Sequence, residues 1–170
     1  MSLNNESITI TKSLAYEEKR QYGIFFTPNN IIDDIINRLK RMIRNKRLKI
    51  KTIIEPSCGS CNFIKKIDHA FRKKIIYGVE YNECIFKRIC KLELKYNKLK
   101  LLKKDFLKQN FNTFDLIIGN PPYAKSFLKE YSDFHKGSGN LYIYFILKSL
   151  ELLNANGILC FLVPLTFMRT

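Results

Sequence analysis

From Lys51 onward the chain alternates short apolar runs with amphipathic stretches, and this alternation constrains the fold more than any other feature. Strands are expected at Thr52–Glu55, Ile75–Glu80, 99–103, 114–118 and 158–163, and helices at 61–72, 83–96 and 141–153. Strand periods of two interleaved with helix periods near 3.6 give the order β-α-β-α-β-β-α-β. Such an order specifies an α/β fold: a doubly wound, mostly parallel sheet with helices on both faces, in which ligands bind beyond the carboxyl ends of the strands. The series stops just after its last strand, at Phe161-Leu162-Val163-Pro164, so the sheet is expected to be incomplete at the C-terminus.

Ahead of this series, residues 1–21 read as a polar arm, and residues 22–170 as one partial catalytic domain. A helix follows Thr27-Pro28, with Thr27 as its cap and Pro28 at its first position, where a missing N–H is harmless. Ile31, Ile32, Ile35, Ile36, Leu39 and Ile43 give it one apolar face, with Asp33 and Asp34 early and Arg38, Lys40, Arg41 and Arg44 late. The 170 residues suit a single core.

Composition bears on partners and compartment. The net charge of +15 makes a polyanion such as DNA an attractive partner. A bias toward Lys, Ile and Asn, of the kind an AT-rich genome produces, accounts for part of that charge. Five cysteines, an odd number, and no apolar leader point to reduced thiols in a cytosol-like compartment. No apolar run approaches the ~20 residues of a membrane span.

Each expected strand ends on residues suited to hold a ligand. After the first stands Glu55-Pro56-Ser57-Cys58-Gly59-Ser60-Cys61-Asn62-Phe63, a turn of small residues that lets backbone approach a ligand closely. Glu80 ends the second, where a carboxylate can accept from both hydroxyls of a ribose. Asp105-Phe106 follows the third, offering an acceptor for an adenine amine and an aromatic face. After the fourth comes Asn120-Pro121-Pro122-Tyr123. An aromatic amine is a poor nucleophile because its lone pair is delocalised. An Asn oxygen and a carbonyl fixed by two prolines, each accepting one N–H, would repolarise it, and Tyr123 would give an extruded base a stacking face.

Cys58-Gly59-Ser60-Cys61 also fits a redox C-x-x-C spacing, although the small-residue turn accounts for the same four positions. His69, His135 and the aromatic run Leu141-Tyr142-Ile143-Tyr144-Phe145 are read as surface and packing residues without a chemical role.

Together, Phe25-x-Thr27-Pro28, the Glu55-to-Phe63 turn, Glu80, Asp105-Phe106 and Asn120-Pro121-Pro122-Tyr123 resemble the N6-adenine-specific DNA methyltransferases of restriction-modification systems. Their order is similar to the gamma arrangement, with the catalytic domain first and target recognition after it. The resemblance spans about residues 20–168 and implies a Rossmann-like fold, S-adenosylmethionine as cofactor and adenine flipped out of DNA as substrate. It further implies that Phe25 and Thr27 hold the methionine part of the cofactor, that Glu55, Ser57 and Gly59 line its pocket, that Glu80 binds the ribose, and that Asp105 and Phe106 take its adenine. Asn120, Pro121, Pro122 and Tyr123 would act on the target base. Cys61 departs from the pattern, since Gly is usual there. The target recognition domain falls outside the resemblance and is expected from a missing C-terminal domain or a partner chain. Two other readings remain open: methylation of another planar amine, a protein glutamine amide or an RNA guanine, and a truncated cofactor-binding subunit inactive without its partner.

Overall fold

Ile53 and Ile54, adjacent in sequence, belong to opposite faces of one sheet, and the whole architecture follows from that alternation. The computed structural model describes residues 27–124 and 140–165. The polar arm, Phe25 and His135 lie outside them. Among the described residues nine elements occur in the order α1 (Asn29–Asn45), β1 (Thr52–Glu55), α2 (Asn62–Ala70), β2 (Ile75–Glu80), α3 (Glu83–Ile89), β3 (Lys98–Lys103), β4 (Phe114–Gly119), α4 (Leu141–Glu151) and β5 (Leu153–Phe161). The strands form one sheet, β3-β2-β1-β4-β5, in which every pairing is parallel. After β3 the chain returns to the other side of β1, so the crevice where the winding reverses opens beyond the carboxyl ends of β1 and β4.

One face carries Ile53, Ile76, Leu116, Ile118 and Ile158 beneath Ile32, Ile36 and Leu39 of α1 and Ile64 and Ile67 of α2. On the other, Ile54, Val79 and Ile117 pack with Phe106, Leu141, Tyr144 and Phe145. Fully buried isoleucines of this kind each contribute about 1.5–3 kcal/mol. Gly78 shows how closely α2 lies on β2: a Cβ there would sit 2.7 Å from Ile64 Cδ1 and 2.8 Å from Leu101 Cδ2.

Three of the boundary differences from the sequence expectation have a tertiary reason. The third helix ends at Ile89 instead of continuing to residue 96. Buried Asp68 accepts the N–H groups of Lys95 at 2.9 Å and Tyr96 at 3.0 Å, and Asn97 Nδ2 at 2.7 Å, which draws this stretch out of helix. The last strand begins at Leu153, five residues early, because Asn156 at φ 65° absorbs a bulge where the β4 register shifts between Phe114 and Leu116. Finally, Pro28 rather than Thr27 occupies the cap position of α1, and no side chain caps the helix. The Thr27 hydroxyl is engaged elsewhere.

At the amino end of the sheet, Asp115 of β4 accepts from Lys51 N at 2.8 Å, Thr52 N at 3.0 Å, Thr52 Oγ1 at 3.2 Å and Asn154 Nδ2 at 2.7 Å, tying β1, β4 and β5. Burial works to raise its pKa, but the hydrogen bonds from Thr52, Lys51 and Asn154 outweigh it and hold the carboxyl below its ordinary value. A depressed folded pKa stabilises the fold above the unfolded carboxylate pKa and is lost as pH falls through the folded one. Asp115→Asn is therefore expected to be less stable than the native chain at neutral pH, with the gap closing as both are unfolded at pH values falling below about 4. Urea titrations across that range would show it, and a gap independent of pH would refute it.

Candidate active site

The β1 turn folds back over the end of β2. Cys58 N donates to Val79 O at 2.8 Å, and Gly59 N donates to Glu80 Oε2 at 2.9 Å. The other carboxylate oxygen of Glu80 accepts Asn82 N at 2.7 Å. Glu80 is 8% exposed. Burial raises its pKa, and the backbone donors of Asn82 and Gly59 oppose that rise. The Tyr81 backbone adds to the same opposition, and the carboxylate thus closes the turn while holding the start of the chain after β2.

Glu55 ends β1 in the same crevice, 3% exposed, and its Oε2 has no hydrogen-bond partner. Burial pushes its pKa well above the carboxylate range, with Cys61 and Glu80 adding to the push and the Ile64 backbone opposing it. A buried carboxyl oxygen without a donor is costly, and a cationic or donor group on a ligand is its natural complement. Gly119 keeps this place open: its φ is 157°, and a Cβ there would press to 3.2 Å on Glu55 Cγ.

Cys61 is the N-cap of α2, fully buried and at φ 60°, the left-handed region in which a side chain costs about 1 kcal/mol. Glycine, the residue the resemblance leads one to expect here, would adopt this conformation without that cost. Relief of the backbone in Cys61→Gly is expected to be offset by the lost thiol packing, leaving unfolding free energy within about 1 kcal/mol of native. Chemical denaturation measures this. The Cys58 thiol is pushed well up, first by its hydrogen bond with Cys61 and then by burial, which disfavours the thiolate that redox exchange requires. Among the described residues no group of His, Cys, Asp or Glu is suited to hold a metal.

Beyond β4 the Asn120 loop meets the β1 turn directly, since Ser57 Oγ donates to Asn120 O at 3.2 Å. Asn120 Nδ2 donates to Thr27 Oγ1 at 3.2 Å across 93 residues of sequence, and Thr27 is buried. Pro121 is buried and Pro122 half-buried. The Tyr123 hydroxyl donates to Asn120 Oδ1 and also lies 2.9 Å from Leu162 O. Burial raises the pKa of Tyr123 to about 12, with Tyr142 adding to it. The ring meets Tyr142 edge-on at 5.9 Å.

Thr27, Ser57, Asn120 and Tyr123 are therefore joined by hydrogen bonds, and Glu55, Gly59 and Glu80 share the neighbouring turn. Asp105 lies past β3, with Oδ1 accepting Leu107 N at 3.0 Å and Oδ2 3.9 Å from Lys108 Nζ. Phe106 differs from its expected role. Its ring is 1% exposed and stacks on Phe145 at 5.2 Å, so it serves the core and presents no open face. Tyr142 and Leu162 are the site residues the sequence reading missed. The aromatic run from Leu141 was the available signal for Tyr142, while Leu162 contributes only a carbonyl, placed by its N–H to Gly119 O at 2.9 Å.

Known proteins are similar to this chain in sequence and in fold. The family described as Eco57I restriction-modification methylase matches residues 3–170. The modification methylase CviBIII of Paramecium bursaria Chlorella virus NC1A is 34% identical over 158 residues, 91% of this chain and 41% of the relative. The Type II methyltransferase M.AccI of Acinetobacter calcoaceticus is 30% identical, covering 94% of this chain and 31% of its own length. The chain thus spans about a third to two-fifths of these relatives. In fold it is similar to the plantazolicin methyltransferase BpumL, with TM-score 0.59 and 12% identity over 78% of this chain and 46% of that one. A putative RNA methyltransferase, PH1948 of Pyrococcus horikoshii, aligns at TM-score 0.57 and 16% identity over 96% and 76%. The sheet is that of a Rossmann-like methyltransferase fold.

Proposed function

Because the chain belongs to the Eco57I restriction-modification methylase family, we propose that it is the catalytic part of a DNA methyltransferase acting on the N6 amine of adenine. S-adenosylmethionine is the methyl donor, and when bound it supplies an electrophilic methyl group on its sulfonium. The residues fit such a group. Glu55 offers an unpartnered buried carboxyl oxygen to a cationic ligand, and Gly59 keeps the turn's backbone close. Glu80 has lone pairs for ribose hydroxyls, Asp105 an acceptor for the adenine, and Phe25, Thr27 and Ser57 complete the binding set.

One observation carries the reading. The Asn120 carboxamide stands at the end of β4, in the crevice it shares with the Glu55 turn, and is held on its nitrogen by Thr27. Asn120 Oδ1 and the Pro121 carbonyl each accept one N–H of the target amine, which favours a pyramidal nitrogen with its lone pair free to attack. Pro122 fixes that carbonyl, and Tyr123 offers the extruded base a neighbouring ring. DNA is the proposed partner, with site recognition assigned to a further domain or a partner chain. None of the described helices is long and apolar enough to cross a membrane.

Incubation with S-adenosylmethionine labelled in its methyl group and adenine-containing duplex should yield N6-methyladenine after nucleoside digestion. Label on a protein glutamine or an RNA guanine would redirect the substrate. Cofactor binding by calorimetry with no labelled acceptor would leave a cofactor-binding subunit.

A further inference from the structure

At the Asn120 carboxamide three segments distant in sequence converge. Thr27 Oγ1, just before α1, lies 3.2 Å from Nδ2. The Tyr123 hydroxyl meets Oδ1, and the Leu162 carbonyl past β5 lies 2.9 Å from that same hydroxyl. A carbonyl only accepts, whereas each hydroxyl donates one proton and can also accept.

These capacities allow two self-consistent arrangements. In the first, Nδ2 donates to Thr27, and the Tyr123 proton goes to Oδ1 or to Leu162 O. In the second the carboxamide is turned over: Thr27 donates to Oδ1, while Tyr123 accepts from Nδ2 and donates to Leu162 O. The second satisfies every partner named here, whereas in the first the single tyrosine proton reaches only one of the two acceptors, Oδ1 or the Leu162 carbonyl. Only the first places an acceptor oxygen on the Tyr123 side of the loop. There, a turn of the tyrosine proton onto Leu162 releases Oδ1 for an incoming N–H.

We propose that Thr27 is a positioning residue whose hydroxyl selects the reactive setting of Asn120. When an acceptor outside the cluster takes the Thr27 proton, the Thr27 oxygen can only accept, and Nδ2 has to face it. The inference rests on the reading of Asn120 as acceptor for the target amine. Under that reading Thr27 also belongs to the cofactor set, so its hydroxyl would donate a hydrogen bond to a carboxylate of the bound cofactor and thereby set the reaction loop. Cofactor occupancy and base chemistry are thereby coupled through one hydroxyl.

The test compares Thr27→Val, which keeps the buried shape without the hydroxyl, with Thr27→Ser, which keeps the hydroxyl. Side-chain amide exchange at Asn120, followed by nitrogen-15 NMR with and without S-adenosylhomocysteine, reads the positioning without turnover. Kinetics on adenine duplex at saturating cofactor read its consequence. The nucleoside should slow exchange in the native chain, and Thr27→Val should exchange roughly tenfold faster and no longer respond. In the same variant kcat should fall about 10- to 100-fold with little change in KM for DNA, and Thr27→Ser should restore both properties. Equal losses in Val and Ser variants would make the role one of packing and overturn the proposal. Full recovery of the Val variant at saturating cofactor, or unchanged exchange, would do the same. If the native chain methylates no adenine, the proposed activity falls, while the exchange measurement still decides whether Thr27 holds Asn120.

Discussion

Asn120→Ala should lower the rate of methyl transfer on the order of a thousandfold, about 4 kcal/mol of lost transition-state stabilisation. The size of the effect comes from what the carboxamide does in a half-buried site. Its oxygen would accept an N–H that becomes more acidic as the amine turns nucleophilic, an interaction stronger in the transition state than in the bound substrate. Water entering the truncated site can accept the same N–H but is not held in place. Deletion also leaves Thr27 Oγ1 and the Tyr123 hydroxyl without their Asn120 partners, at a cost of about 1–3 kcal/mol in stability. The decisive comparison is methyl incorporation into adenine duplex by native and variant chains, with thermal melting to show that the variant is folded. A folded variant within tenfold of native would remove Asn120 from the chemistry.

The placement of much of the candidate site was legible in the sequence because a parallel sheet delivers its carboxyl ends to one edge. Glu55, Glu80, Asp105 and Asn120 were found by locating strand ends, and β1, β2, β3 and β4 end at Glu55, Glu80, Lys103 and Gly119. Local pattern is sufficient for that step. It is insufficient where the partner is remote. A threonine before a helix is by default a cap, and nothing near Thr27 reveals an amide 93 residues away. Likewise, residues 90–96 carry helical composition, yet Asp68 takes two of their N–H groups. Phe106 looked like a free aromatic face because Phe145, which covers it, lies on another element. In each case a side chain's role was set by the first strong partner that folding brought to it.

Cofactor affinity is expected to depend on Glu80 nearly as strongly as catalysis depends on Asn120. The carboxylate has about four lone-pair sites, and the backbone of Gly59, Asn82 and Tyr81 donates to it. What acceptor capacity remains is what a ribose hydroxyl would use. Glu80→Ala removes the acceptors and orphans the backbone donors of Gly59, Tyr81 and Asn82, so affinity for S-adenosylhomocysteine should weaken at least roughly a hundredfold. Glu80→Gln should be almost as damaging: its amide must turn N–H groups toward one of two sites already facing a donor, and a smooth shape match cannot repair a donor-to-donor contact. Acidity separates this carboxylate from a merely structural one. Hydroxyls donate to the ionised form, and burial raises the Glu80 pKa, so native affinity should fall on acidification at a pH above the ordinary carboxylate range. Calorimetric titration from neutral to mildly acid pH would measure that fall. In Glu80→Gln the portion belonging to Glu80 disappears, while Glu55, whose pKa burial raises well above the ordinary value, still contributes its own. An unchanged slope together with native affinity would exclude Glu80 from cofactor binding and leave it only the closure of the Gly59 turn.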